Sequence, residues 1–353
     1  MQRHKMSLSV EYVGTWSLQD ALRELFQNSI DHGNWSWLYK NETLTITSKS
    51  TALDKKYLLL GMSDKKEGSI GQYGEGFKLA MLVLCRLGYK PYILTGDEKW
   101  EPKLIKSRTY GTQQLVFDVY KDQPQVNDIV FVVPCISLLE FSELQNRNLH
   151  VRKPSMGWYI DKGRILSEDY AGKIFVGGLY VCEIPLRHGY DFDPEVLKLD
   201  RDRRMVSSFD VHWLTCQMWK QTEEYDYILS LIKEDAPDVK YLDSFVYSAK
   251  QGLADKAAEA FLDEHGPEAV PVVDNYDLGK AKDEGHDKVI IVPKVTVQLL
   301  QQSKIWTRPA PKVIKKTPRE ELLDFRIDFA DQMSELMLLQ LDLIIEHAKD
   351  WSN

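Results

Sequence analysis

The chain has no stretch approaching the roughly 20 apolar residues that a membrane-spanning helix needs, so no such segment is expected. It has only four cysteines, Cys85, Cys135, Cys182 and Cys216. They are far apart and form no C-x-x-C pair, which argues against a zinc site and a disulfide framework; packed, reduced thiols are the expectation. There is no basic excess either. The 45 Lys and Arg residues face 53 Asp and Glu, for a net charge of −8. That argues against a surface that is wholly a nucleic-acid footprint, although it leaves room for a local basic patch. The opening residues MQRHKMSLSVEYVG are charged and reach Glu11 before any long apolar run, unlike a signal peptide. A cytoplasmic protein without a membrane partner is expected. Neither a G-x-x-x-x-G-K-[ST] loop nor a dinucleotide fingerprint occurs, and no internal repeat is visible.

What is present is 353 residues, 43% hydrophobic and 28% charged, enough for two or three globular domains. Residues 17–31 read as a helix, with Ser17 and Asp20 spaced as a capping box and Leu18, Leu22, Leu25 and Ser29 on one stripe. Trp35, Trp37, Leu38 and Tyr39 either extend that helix or cover it. ETLTITSKS alternates as a strand does, and four further short runs between residues 91 and 136 read as an antiparallel sheet. A first domain of helices on a mostly antiparallel sheet therefore ends near residue 150. From 151 to 250, GKIFVGGLYVCEIP reads as two strands around Gly177-Gly178, followed by a polar connection and a helical segment. Residues 251–305 read as a small α/β module, and 306–353 as a Pro/Lys linker followed by a long amphipathic helix or helix pair. The apolar pattern there, from Leu322 to Ile344, is that of a helix docked on its own protein, or of a dimer or partner contact.

One helical face draws attention. In ELFQNSIDHG, Glu24, Asn28 and Asp31 lie within about 60° of one another on a helical wheel. A solvated face is the plain reading of such a group. A second stretch, GSIGQYGEGFKLA, sets Gly68, Gly71, Gly74 and Gly76 directly before a helical run, with Lys78 just inside it. Glycines let a backbone approach a ligand and present its N–H groups, and a helix N-terminus adds partial positive charge. The stretch has the makings of a phosphate cradle; a flexible surface loop is the plain alternative.

Taken together, E-x-x-x-N-x-x-D on an early helix, then a strand, LGMSDKK and IGQYGEGFKLA resemble the GHKL ATPases. The glycine box is most similar to those of the ninety-kilodalton heat-shock chaperones and the MORC ATPases. The resemblance is strong over residues 11–85, fair to about 150 and thin beyond. It implies an α+β chain: a Bergerat-type α/β sandwich that binds ATP over 1–150, a transducer-like domain over 151–250, the small module, and C-terminal helices. It implies that Glu24 is the general base for γ-phosphate hydrolysis and Asn28 the Mg²⁺ ligand. Asp31 would line the nucleotide site. Gly71, Gln72, Tyr73, Gly74, Glu75, Gly76, Phe77 and Lys78 would form the lid box, with Ser63 and Lys65 in the loop before it. Basic residues in LKLDRDRR, namely Lys198, Arg201, Arg203 and Arg204, would include a γ-phosphate sensor; a salt-bridged surface loop is the alternative.

The chain departs from the family at one place. The D-x-G-x-G that normally follows the strand, whose Asp reads adenine, is missing from LTITSKSTALDKK. Ser48 or Ser50 would have to supply a hydroxyl instead. The family's late Gly-Thr is matched by Gly111-Thr112, with NDIVFVV as a rival alignment. The expectation is a Mg-ATP-dependent switch or dimer clamp on a protein or nucleic-acid client. The alternatives are a degenerate nucleotide-binding interaction protein with little hydrolysis, and a DNA-associated clamp.

Overall fold

Gln2–Ser9 opens the chain as strand β1, followed by helix α1 (Leu18–Asp31), β2 (Trp35–Lys40) and β3 (Thr43–Ser48). Helix α2 (Gly76–Arg86) leads to β4 (Tyr92–Gly96), β5 (Glu98–Lys106), β6 (Gln113–Tyr120), β7 (Val126–Pro134) and α3 (Leu138–Arg147). These strands make one seven-stranded sheet in the order β1-β6-β5-β4-β7-β3-β2, antiparallel at every pairing. The computed structural model describes residues 1–58, 75–108, 111–197, 208–242, 251–312 and 316–348. Among them the chain is a mixed α+β protein with ten α-helices. It divides into two units, Met1–Leu242 and Asp243–Asn353.

Helix α1 forms for the reasons its sequence gives. Ser17 and Asp20 close a reciprocal capping box, and Ala21, Leu22, Leu25 and Phe26 are fully buried. Helix α2 is enclosed on all sides, with every residue from Phe77 to Leu84 buried, as expected where a helix has no polar face to offer water. Both helices share one core with the inward side chains of the sheet, including Ile46, Ile93, Trp100, Phe117 and Phe131. Trp35 to Tyr39, read as helical extension or cover, form β2 and pair with β3. Aromatic residues favour a pleated, half-buried surface.

Arg86, at the end of α2, ties the entrance of α1 to the core. Its guanidinium donates to the carbonyls of Val10, Tyr12, Val13 and Trp16 at 3.0–3.1 Å. The fork of an arginine suits a curved run of carbonyls, which no lysine matches.

Still within the first unit, a second sheet follows: β8 (Gly157–Ile160), β9 (Gly163–Leu166), β10 (Lys173–Val176), β11 (Leu179–Glu183) and β12 (Tyr190–Phe192). Its order is β11-β10-β12-β9-β8, with β10 and β12 parallel. β12 falls in what reads as a polar connection; Tyr190 and Phe192 are nevertheless fully buried. Helices α4 (Ser208–Trp219) and α5 (Tyr225–Lys233) complete the unit.

The second unit begins with α6 (Gln251–His265), β13 (Val270–Val272), α7 (Asn275–Asp283), β14 (Val289–Ile291) and α8 (Lys294–Gln302). β13 and β14 pair in parallel. A helix pair, α9 (Pro318–Phe329) and α10 (Glu335–His347), ends it, joined by Arg326 to Asp342. Ile327, Leu336 and Leu339 are more than 60% exposed, at 71%, 69% and 63%, so this pair is not a fully docked element. The cysteines are all free, and Cys135 is exposed rather than packed. Among the described residues no helix is long and apolar enough to cross a membrane.

Replacing the Arg86 fork tests the tie. Arg86→Met is expected to lower unfolding free energy by about 1–3 kcal/mol, because several charge-assisted bonds to part-buried carbonyls go. Urea titration followed by circular dichroism checks this; a loss below about 0.5 kcal/mol would mean that the fork is ornamental.

Candidate functional site

The face singled out in α1 is not a wet one. Glu24 is 2% exposed and turns into the seam between α1 and α2. Gly76, the first residue of α2, comes so close that a Cβ there would overlap Glu24 Oε2 and lie 3.3 Å from Asn28 Nδ2. The glycine at the end of the box is thus a condition for the two helices to meet over these side chains. Arg23 Nη1 lies 3.6 Å from Glu24 Oε1. Asn28 donates through Nδ2 to the Glu24 carbonyl at 2.8 Å, which turns its Oδ1 the other way, and that oxygen is the atom a hard cation would take. Asp31, half-buried, ends the helix.

The strand end beside this seam is built from hydroxyls. Ser48, 1% exposed, donates to Ser29 Oγ on α1 at 2.9 Å. Ser50, exposed and with φ 56°, gives its N–H to Asp128 at 2.9 Å. Thr95, buried at the end of β4, accepts from Leu53 N–H at 2.9 Å. Thr95 and Asp128 were not anticipated; the only hint in the sequence was a polar residue at each strand terminus.

Register decides where the Gly111-Thr112 match falls. Ser48 pairs with Ile129, Leu94 with Val130, and Thr95 with Glu98. Ser48, Thr95 and Glu98 therefore share one end of the sheet. β5 then runs away to Lys106, which pairs with Gln113. At about 3.3 Å per residue, the Gly111-Thr112 turn sits at the opposite end. That assignment is corrected: Thr95 is the threonine near Ser48.

Residues 49–58 leave β3 along this end under several ties. Lys55 Nζ bonds Glu98 Oε1 at 2.6 Å, and Trp100 Nε1 bonds Glu98 Oε2 at 2.9 Å. Burial pushes the Glu98 carboxyl up, but these bonds outweigh it and hold the group below the ordinary range. Lys78, fully buried, donates to the Tyr57 carbonyl at 2.9 Å, and burial lowers its pKa. Its ammonium is thus engaged with the chain leading out of β3. Glu75 and Phe77 flank Gly76, with Phe77 buried in the core. Ser63, Lys65, Gly68, Gly71, Gln72, Tyr73 and Gly74 lie outside the described residues, as do Lys198, Arg201, Arg203 and Arg204.

A second polar cluster, at the end of the first unit, had no signal in the sequence. Asp238 accepts from Tyr190 OH at 2.5 Å and faces His188 Nδ1 at 3.1 Å; His188 Nε2 meets Tyr227 OH at 3.0 Å. Trp219 Nε1 donates to Tyr190 OH at 2.8 Å. All but Tyr227 are buried, and every buried group is paired, as an interior network requires. Among the described residues no group of three or more His, Cys, Asp or Glu is placed to hold a metal.

With this geometry described, comparison with known proteins adds no relative: no family model matches the chain and no curated protein matches it.

The Glu98 ties make a pH prediction. Its folded pKa is depressed, so its stabilising contribution is fully present above the unfolded value of about 4.3 and is lost as pH falls through the lower folded value. The stability difference between wild type and Glu98→Gln should be constant from about pH 6 to 8 and shrink in acid. Thermal melts across this range read it; a difference that grows in acid would contradict the assignment.

Proposed function

We propose that this chain binds Mg-ATP in a GHKL-type site and hydrolyses it as a nucleotide-gated switch or dimer clamp on a macromolecular partner. The observation that carries the reading is the meeting of Glu24, Asn28 and Gly76 at the mouth of α2. A buried carboxylate, an amide oxygen and a side-chain-free helix start within one seam are what γ-phosphate chemistry asks for. The seven-stranded antiparallel sheet with α1 and α2 on one core supports a Bergerat-type sandwich, and the five-stranded sheet after it supports a transducer-like role.

In this reading Glu24 orients the attacking water and takes its proton. The packing at Gly76 fixes the carboxylate so that it does not reorganise during the step. Asn28 would hold magnesium through Oδ1; the ion, when bound, neutralises charge on the β- and γ-phosphate oxygens. The first-turn amides of α2 face the phosphates with the helix dipole behind them. Its N-cap residue, Glu75, makes no side-chain capping bond. Asp31, Ser48 and Ser50 border the base pocket. By the resemblance, the lid over 61–78 and one of Lys198, Arg201, Arg203 and Arg204 would contact the γ-phosphate, so ATP and ADP would favour different states. The exposed apolar side chains of α9 and α10 offer surface that a second copy or a client would cover.

One observation favours the degenerate alternative. Ser48 presents a neutral hydroxyl already bonded to Ser29, where the family places a carboxylate. Adenine affinity is therefore expected to be low.

Calorimetry, turnover and sedimentation test the reading together. Glu24→Ala should retain ATP binding within about threefold and lose turnover by at least about a hundredfold, the scale of a removed general base. Gly76→Ala, which displaces the Glu24 carboxylate while the helix stays allowed, should cut turnover by about tenfold or more and lower stability by about 1–3 kcal/mol. No nucleotide binding by wild type would end the proposal. Binding with turnover no greater than that of Glu24→Ala would select the degenerate switch.

A further inference from the structure

A cavity of about 390 Å³ opens in the first unit beside β8, the turn after β9 and the start of α5. A volume on this scale suits a small ligand. Charge of one sign lines it. Glu168, Asp169 and Glu224 supply three carboxylates, and among the described residues no Lys or Arg contributes to the wall. Its apolar surface comes from Trp158 and Tyr227, whose rings stack with centroids 5.9 Å apart and planes at 26°. Trp158 also packs on the buried Trp219 at 5.1 Å, and Tyr227 OH meets His188 of the interior network. The aromatic wall is thus held in place from behind.

The three acids are unequally engaged. Glu168 accepts from Arg187 Nε at 2.8 Å and from Tyr227 OH at 3.0 Å. Arg187 also pairs with Glu234, so one cation serves two carboxylates. Asp169 meets only the Ser167 hydroxyl, at 3.5 Å, among the described residues. Glu224 stands at the N-cap of α5 yet makes no capping bond; it accepts only from the Trp158 indole N–H, at 3.4 Å. Contacts this long are weak, and both side chains are exposed, so their charge is open to a ligand. Position matters as much as charge. Glu224 borders the N–H edge of Trp158 and Glu168 the hydroxyl of Tyr227, so a carboxylate stands at the polar edge of each ring. The acids do not converge on a point: among the described residues no group of three is placed to hold a metal ion. Carboxylates at separate edges of an aromatic stack fit a cation whose charges are spread along an apolar chain.

We infer that this cavity binds an aliphatic diamine or polyamine. One ammonium group donates to Glu168 and Asp169 and a second to Glu224, while the methylenes between them lie on Trp158 and Tyr227. Each end gains from a charge-assisted bond and from the ring face beside it, and the stem covers aromatic surface. An inorganic cation lacks the stem, a quaternary ammonium ion lacks N–H donors, and a monoamine reaches one end only. The site stands apart from Glu24 and does not rest on the ATPase reading.

The indole N–H resonances of the full chain, labelled with nitrogen-15 tryptophan, read binding at low salt without nucleotide; Trp158→Phe assigns the Trp158 signal. Cadaverine is expected to shift that signal and to bind about tenfold tighter than n-pentylamine, the gain from a second charge-assisted contact. Glu224→Gln should erase the preference for the diamine, and Glu224→Lys should abolish the cadaverine shift. The residue is exposed, so circular dichroism is expected to stay unchanged in both. Glu335→Gln, which removes an exposed charge from the second unit, should leave both affinities as they are. A Trp158 signal that does not move, equal affinities for the two amines, or a preference that survives Glu224→Gln overturns the inference. So does an equal loss in Glu335→Gln, the mark of general attraction to an acidic chain. Tighter binding of calcium or tetramethylammonium ions than of cadaverine would give the pocket to a compact cation. Tighter binding of acetyl-lysine amide would give it to a protein side chain. Either result overturns the assignment to a free polyamine.

Discussion

A carboxylate held at 2% exposure in a helix–helix seam constrains everything around it. Glu24 has left water, and a charge there requires compensating partners. The chain supplies the guanidinium of Arg23 at 3.6 Å and the positive end of the α2 dipole. The dipole acts on the carboxylate only at close range, and a side chain at residue 76 would overlap Glu24 Oε2 there. The glycine, the helix start and the acid form one device. The apolar face of α1 and the fully buried α2 hold it in place, because neither helix can rotate without exposing Leu22, Phe26 or Met81.

The strand end next to this seam departs from the GHKL pattern in a physically coherent way. A lone buried Asp at position 48 would need donors to replace water. With serine there, one hydroxyl bond to Ser29 satisfies the group. The surrounding polar contacts, Thr95 to Leu53 and Asp128 to Ser50, are to backbone N–H groups, so they fix the path of residues 49–58. The Lys55–Glu98 pair and the buried Lys78 bind the same segment. Much of the polar chemistry at this end shapes the chain that leads toward the glycine box, and Lys78 illustrates it: the sequence suggests a cation for phosphate, yet its ammonium meets the Tyr57 carbonyl.

What could be read in advance follows from how local each signal is. α1 was legible because a capping box and a 3.6-residue apolar stripe lie within fifteen consecutive positions. The hairpin around Gly177-Gly178 was legible for the same reason. β1 was not, because only Met6 and Leu8 of its residues are buried. Nor was β12, whose two buried residues, Tyr190 and Phe192, lie on a strand held between β9 and β10. α7, with one buried residue, had no apolar stripe to show. In the site, Glu24 and Asn28 share a helical turn, and Gly76 announced itself through its box. Thr95 and Asp128 join them only through strand register, and Asp238 meets His188 across 50 positions. No spacing rule reaches that far. Gly111-Thr112 shows the converse: a good local match defeated by the direction in which β5 runs.

Helix α1 is shared between the two sheets of the first unit, and this makes a connection between them plausible on simple geometry. Successive residues point about 100° apart on a helix. Glu24 faces the start of α2 and, with Arg23 one position earlier, also lines a cavity along β11. The two side chains remain 3.6 Å apart at their charged ends. Any group that draws the guanidinium toward β11 weakens the field on the carboxylate, with no movement of the helix itself. Coupling between sites needs an element with two arrangements that both sites bias. Arg23 is a side chain that touches both the acid of the seam and the wall of the cavity.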